Sequence, residues 1–200
     1  MWLNLTYNID IKDVITTGLT IWGLVIATKG LVTWRKQIKG TKEFDVAYNL
    51  NYSVLKLRDA IKHVRNPAIW PSESMKAEQY YKEKYPDSSE DIKKISNAVV
   101  YEMRWDKISA AYTEMESHLL AAEVLWGTDI LKLIRPLNKK VNELNIGLKQ
   151  YFPPEWKTKD YEALDNLIYD TSHEDNKDPF SKEVETIIES IANYLKPKIG

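Results

Sequence analysis

Two hydrophobic patterns divide the chain. From Val14 to Trp34 the residues VITTGLTIWGLVIATKGLVTW hold a single charge, Lys29. A helix of that length spans about 30 Å, the thickness of a bilayer's hydrocarbon core, so the stretch predicts a transmembrane helix over 14–34. Threonine is frequent in it and the hydrophobicity is moderate, so a buried helix of a soluble domain is the competing reading. A cleavable signal peptide does not fit: the first eleven residues carry no Lys or Arg, and no A-x-A site follows. An interfacial helix needs a charged face, which 14–28 lacks.

Beyond Trp34 the pattern becomes heptad-like. Ala47, Leu50, Val54, Leu57, Ile61 and Val64 recur at alternating intervals of three and four. So do Ile108, Tyr112, Met115, Leu119, Ala122 and Trp126, and again Ile130, Ile134, Leu137, Val141, Leu144, Leu148 and Tyr151. A period near 3.5 is a seam for packing against other helices, and no strand-like alternation competes with it. Phe180, Val184, Ile187, Ile191 and Tyr194 give a shorter face of the same kind.

Punctuation sets the boundaries. Asn66-Pro67 closes the first helix, and 67–90 reads as a connector with a short helix near 73–84. Ser88 or Ser89 caps a helix beginning near Asp91. Gly127 makes a tight corner, Thr128 caps the next helix, Pro136 bends it and Pro153-Pro154 stops it. Helices near 158–170 and 180–196 follow, the second opened by Asp178-Pro179 and ended by Pro197. The expected fold is all-α: an N-terminal transmembrane helix, then an antiparallel bundle of three long helices with shorter C-terminal helices against it. The expected domains are an external segment 1–13, the span 14–34 and a cytoplasmic bundle 35–200. Span and first bundle helix are expected to run on as one rod.

Charge orients this plan. One flank of the span offers Lys12 beside Asp10 and Asp13; the other offers Lys29, Arg35, Lys36, Lys39 and Lys42. The positive-inside rule puts the N-terminus out and the bundle in the cytoplasm. Over the whole chain 28 basic and 29 acidic residues nearly cancel, which argues against a nucleic-acid partner bound by bulk charge. The absence of cysteine excludes disulfides, thiol catalysis and thiolate metal sites. Within the span, Thr16, Thr20, Gly23, Ala27 and Gly30 form a seam of small residues. Such a seam suits close packing of membrane helices, and so a homo-oligomer; equally, Thr and Gly are common in such helices.

Two stretches carry a resemblance. TWRKQIKGTKEFDVAYNLNYSVLKLRDAIKHVRNP and WGTDILKLIRPLNKKVNELNIGLKQYF resemble a loose group of uncharacterised bacterial proteins. These have one N-terminal span, a basic W-R-K linker and a helical bundle. The resemblance covers roughly 34–67 and 118–152. It implies a membrane-anchored helical protein of bacteria or their phages, placed at the inner membrane, and it implies no activity or catalytic residue.

Candidate chemistry is sparse. Arg58 and His63 form R-x4-H, the spacing of the helical HEPN nucleases, in which Arg and His flank a scissile phosphate. A flanking salt bridge beside the seam is the plainer role for Arg58. Arg58, Asp59, Arg65 and Asn66 read as a polar edge near a helix end, ion-paired to Glu102, Asp106 or Glu114, or else as an anion site. His173, Glu174 and Asp175 read as a solvated loop, His118 as a seam flank, and no metal or cofactor is expected. Trp70, Tyr80, Tyr81 and Tyr85 fall in the connector and are the candidate contact surface for a protein partner; the alternative is that the connector folds back on the bundle. The sequence reads as a non-enzymatic, membrane-anchored interaction or regulatory protein. A metal-independent RNase built on Arg58 and His63 is an alternative. So is an oligomerising, membrane-perturbing effector of phage defence or exclusion.

Overall fold

A computed structural model describes residues 11–88, 92–152, 161–171 and 178–200. All regular structure among them is helical: α1 (Ile11–Val64), α2 (Pro71–Lys84), α3 (Ile92–Trp126), α4 (Asp129–Tyr151), α5 (Tyr161–Ile168) and α6 (Pro179–Ile199). The fold is all-α, as the periodicity predicts. The chain forms two units, Met1–Glu43 and Phe44–Gly200.

In the first unit, α1 is apolar on every side and uncovered. It is long and apolar enough to cross a membrane, and none of its most apolar window is buried. Leu19, Trp22 and Leu24 are each about 70% exposed. Three of its threonines bond within the helix: Thr16 Oγ1 donates to the Lys12 carbonyl at 2.8 Å, Thr20 to Thr16 at 2.7 Å and Thr28 to Leu24 at 3.0 Å.

The second unit owns the core. The α1 seam is buried throughout, from Ala47 to Val64, and so are Ile108, Met115, Leu119 and Ala122 of α3 and the α4 seam from Ile130 to Leu148. Tyr112, Trp126 and Tyr151 lie half-buried at the core's edge. The bundle has four walls rather than three. Phe180, Val184, Ile188, Ile191 and Leu195 of α6 are all buried in the same core. Cross-links fix the register: Lys56 to Glu114 at 2.6 Å sets α1 against α3, and Lys62 to Glu185 at 2.7 Å sets α1 against α6.

The buried α6 face is 180, 184, 188, 191 and 195 rather than the heptad set that includes Ile187 and Tyr194, which are half-buried. An α-helix drifts about 20° per heptad against a 3.5 repeat, so a straight helix recruits the next residue.

The punctuation holds in part. Gly127 takes φ +75° at the α3–α4 corner, and Asp178 caps α6 by accepting from the Ser181 N–H at 2.9 Å. Thr128, by contrast, makes no side-chain cap bond. Ser88 bonds the Tyr81 hydroxyl at 2.6 Å. Pro197 sits inside α6, which ends at Ile199. α4 runs through the exposed Pro136. Residues 1–10, Ser89 with its capping role, Pro153-Pro154, and His173 to Asp175 lie outside the described residues.

Candidate functional site

The most polar buried features are two arginines near the C-terminal end of α1. Arg65 and Arg104 are each 1% exposed. Arg65 sits where α1 ends, and its guanidinium ties α5 to the start of α6. Its Nε donates to the Leu167 carbonyl at 2.8 Å, and its other nitrogens reach the carbonyls of Asn166 and Tyr169. A two-pronged ion pair joins it to Asp178 at 2.8 and 3.1 Å, and Ser181 Oγ accepts at 2.6 Å. Burial pushes the Asp178 carboxyl up, but Arg65 and the Ser181 N–H outweigh it and hold it below its ordinary value. Arg104 plays the matching part for the connector. It donates to the Asn66 and Ala68 carbonyls at 2.6 Å each, and to both Glu73 oxygens. All five Arg65 donors and four of the five of Arg104 are committed within the protein.

Arg58 and His63 are not brought together. Five residues of helix rotate the side chains about 140° apart. Arg58 pairs with its neighbour Asp59 at 2.8 Å. His63 Nε2 lies 3.0 Å from Lys107 Nζ and 4.0 Å from Glu73 Oε1. Burial lowers the His63 pKa, and the charges of Lys107 and Arg104 lower it further against the opposing pull of Glu73. Of the polar edge read from sequence, Arg58 pairs locally and Arg65 turns inward to Asp178. Glu114 receives Lys56 instead. His118 is half-buried. Among the described residues, no three His, Asp or Glu side chains converge as a metal set.

The connector aromatics separate. α2 packs along α3, and three tyrosines face it. Tyr81 is buried; the Tyr80 hydroxyl donates to Asp106 at 2.7 Å and the Tyr85 hydroxyl to Glu102 at 2.7 Å. Trp70 is the most exposed of the four, 64% at the start of α2, and Tyr85 keeps an exposed ring while its hydroxyl is bonded. The small-residue seam of Thr16, Thr20, Gly23, Ala27 and Gly30 lies on the uncovered part of α1. A Cβ added at Gly23 or Gly30 would meet nothing within 4 Å.

A feature the sequence reading missed is a groove between α3 and α4. At one end a cavity of 180 Å³ is walled by Ala98, Tyr101, Trp105, Leu148 and Phe152. A second cavity of 340 Å³ continues it along Ser109 and Tyr112 of α3 and Asn138 and Asn142 of α4. Trp105 and Asn145 line both, so the two cavities adjoin. Asn138 Oδ1 is a buried acceptor inside the wall, with no accessible surface, and the Tyr101 hydroxyl is buried toward Tyr169. Asn138 Nδ2 is occupied, donating to Glu116 Oε1 at 3.3 Å. Burial pushes the Tyr101 hydroxyl pKa well up, so it stays a protonated donor. Asn138, Asn142 and Asn145 fall at intervals of four and three beside the α4 seam. That spacing was legible, but a polar row beside a seam looks like an ordinary solvent face until the opposite wall is known.

No protein-family model, curated protein or solved structure matches this chain. The groove can offer hydrogen bonds and apolar surface, which suits recognition.

Proposed function

We propose that this protein is a membrane-anchored, non-enzymatic interaction protein that presents a helical bundle at the cytoplasmic face of the bacterial inner membrane. The observation that carries the reading is the contrast along α1. Its apolar window is wholly uncovered, whereas its heptad seam is buried. A core helix of a soluble domain hides at least one face; a bare apolar cylinder calls for another covering, and lipid supplies it. The internally bonded threonines support this, since an unsatisfied hydroxyl is costly in hydrocarbon. The basic residues from Arg35 to Lys42 support an N-out orientation. The effector reading shares this anatomy, and the bare face of Gly23 and Gly30 favours close pairing of spans in either case. The RNase reading gains no support from the placement of Arg58 and His63.

The test is extraction and sidedness. Full-length protein in bacterial membranes is expected to resist alkaline carbonate and high salt. The chain has no cysteine, so single substitutions report location without background. Asn4→Cys should react with an impermeant maleimide in intact spheroplasts, and Ser72→Cys only after lysis. Release by alkali would remove the anchor, and reversed labelling would invert the topology.

A further inference from the structure

We infer that Phe44, Tyr48 and Tyr52 form a pairing surface for a second copy of this chain, α1 against α1 in parallel. The three rings make one ladder along the helix. Phe44 and Tyr48 have ring centroids 6.1 Å apart and planes inclined by 11°, and Tyr48 and Tyr52 follow at 6.4 Å and 8°. They are 42%, 52% and 54% exposed. At about 100° per helical residue, Tyr48 lies about 160° round the helix from the buried Leu50, so the ladder faces away from the core. Lone exposed aromatics are ordinary, but three in a row, rimmed by the exposed Asp45, Asn49 and Lys56, make a contact patch.

Charge, area and register choose the occupant. A two-fold contact sets each residue near the axis against its own copy, so a charge there would face a like charge. Along the row Thr41, Phe44, Tyr48, Asn51, Tyr52 and Leu55 carry none. A charged partner would find nothing in it to pair with. Three half-exposed rings offer on the order of 300 Å² per copy. A stable interface needs roughly 800 Å² from each partner. A partner free in solution would therefore be held poorly, whereas one tethered in the same bilayer is held by its effective concentration.

The register points to this chain rather than to another tethered helix. Counted along the sequence from Gly30, steps of 4, 3, 4, 3 and 4 reach Trp34, Gln37, Thr41, Phe44 and Tyr48. The seam of Thr16, Thr20, Gly23, Ala27 and Gly30 has the same alternation, and every member of both sets is exposed. A parallel copy of α1 repeats both sets in the same order and at the same spacing. Rings then meet rings where small residues meet small residues. The pairing rests on the proposed membrane anchor for its tether and on the ladder for its contact.

The test is Förster transfer between copies of the full-length protein in lipid vesicles containing anionic lipid. The chain has no cysteine, so donor and acceptor dyes go on Ser72→Cys, an exposed position outside α1. Transfer above the level set by surface density is expected, falling as the protein is diluted in lipid. Tyr48→Glu alone and Tyr48→Lys alone should each shift the midpoint of that dilution on the order of tenfold toward higher protein density. Mixing Tyr48→Glu copies with Tyr48→Lys copies should restore transfer, because opposite charges then meet near the axis. Asn49→Glu, about 100° round the helix, should change nothing. Circular dichroism melts establish that these exposed substitutions leave the fold intact. The pairing is overturned if transfer never exceeds what density gives, if both Tyr48 variants transfer like the parent, or if the mixture is not restored. Loss with Tyr48→Glu but not with Tyr48→Lys would lay the ladder on anionic lipid and overturn it too. Charge-rescued transfer in protein that alkali releases from membranes would sink the anchor and leave the pairing. Firm insertion without charge-rescued transfer would sink the pairing and leave the anchor.

Discussion

Arg65 concentrates more of the second unit's architecture than any seam residue, because one side chain holds α5 and α6 against the end of α1. Its partner Asp178 is 2% exposed, and removing one member of a buried pair strands the other. Arg65→Ala is therefore expected to cost about 3–5 kcal/mol in urea denaturation. Arg65→Lys should recover little, since a single ammonium cannot reproduce the fork. The pair also sets an acid limit. Asp178 and Glu73 are both held below the ordinary carboxyl range, Glu73 chiefly by its hydrogen bonds from Arg104. Their contribution is present above the unfolded carboxyl pKa, near 4, and is lost as pH falls through the lowered folded values. His63 behaves differently. Its folded pKa lies below the unfolded one, so the unfolded chain binds its proton first. The His63 contribution is complete above about pH 6.5 and is lost as pH falls toward the folded value. His63→Gln should flatten the slope of stability between pH 5 and 6.5, measured by denaturation at a series of pH values. An unchanged slope would mean that Lys107 and Glu73 accommodate the charged ring.

At the scale of elements, the seams of α1, α3 and α4 were legible because burial there depends on apolar residues recurring at helical spacing, which sequence displays directly. What escaped was whatever depends on a second element. Arg65 reads only as part of a polar edge and Arg104 carries no signal of its own, because Asp178 and Glu73, which close over them, lie 113 and 31 residues away. For Tyr80, Tyr81 and Tyr85 the sequence leaves a contact surface and a connector folded back on the bundle both open, and only the placement of α2 along α3 turns them toward Asp106, Ser88 and Glu102. The groove asparagines needed the α3 wall. Gly147 escaped for the same reason. It is buried on α4, and a Cβ there would lie 2.5 Å from Leu167 Cδ2 and 3.2 Å from Leu167 Cγ, so glycine is what lets α5 approach. Gly147→Ala gains helix propensity of about 1 kcal/mol and displaces one flexible side chain, so the two effects offset. Gly147→Leu has no such room. It is expected to destabilise by about 1–3 kcal/mol through overpacking and to raise amide exchange in α5 before the rest of the unit. Uniform exchange across α4, α5 and α6 would show that the contact is not local.

At the scale of the whole molecule, the question is what the uncovered part of α1 contributes to the bundle. Among the described residues the core's buried members run from Ala47 to Leu195, and the earliest side chain packed against them is Val46. The buried arginine pairs and the cross-helix ion pairs Lys56–Glu114 and Lys62–Glu185 all lie within the second unit as well. Cooperative unfolding needs a closed set of mutually supporting contacts, and this set closes without the first 43 residues. A chain of residues 44–200 is therefore expected to be soluble without detergent and strongly helical. Its urea midpoint should match that of the full-length protein in micelles at equal pH, and the two unfolding free energies should agree within about 0.5 kcal/mol if the parts are independent. Its slope against urea should follow the surface of the second unit alone. Failure to unfold cooperatively would mean that the apolar helix stabilises the bundle, and the contrast along α1 would then need a covering other than lipid. Agreement of the two midpoints would leave the apolar helix with no part in folding the bundle, and its twenty-one residues from Val14 to Trp34 would be explained by location.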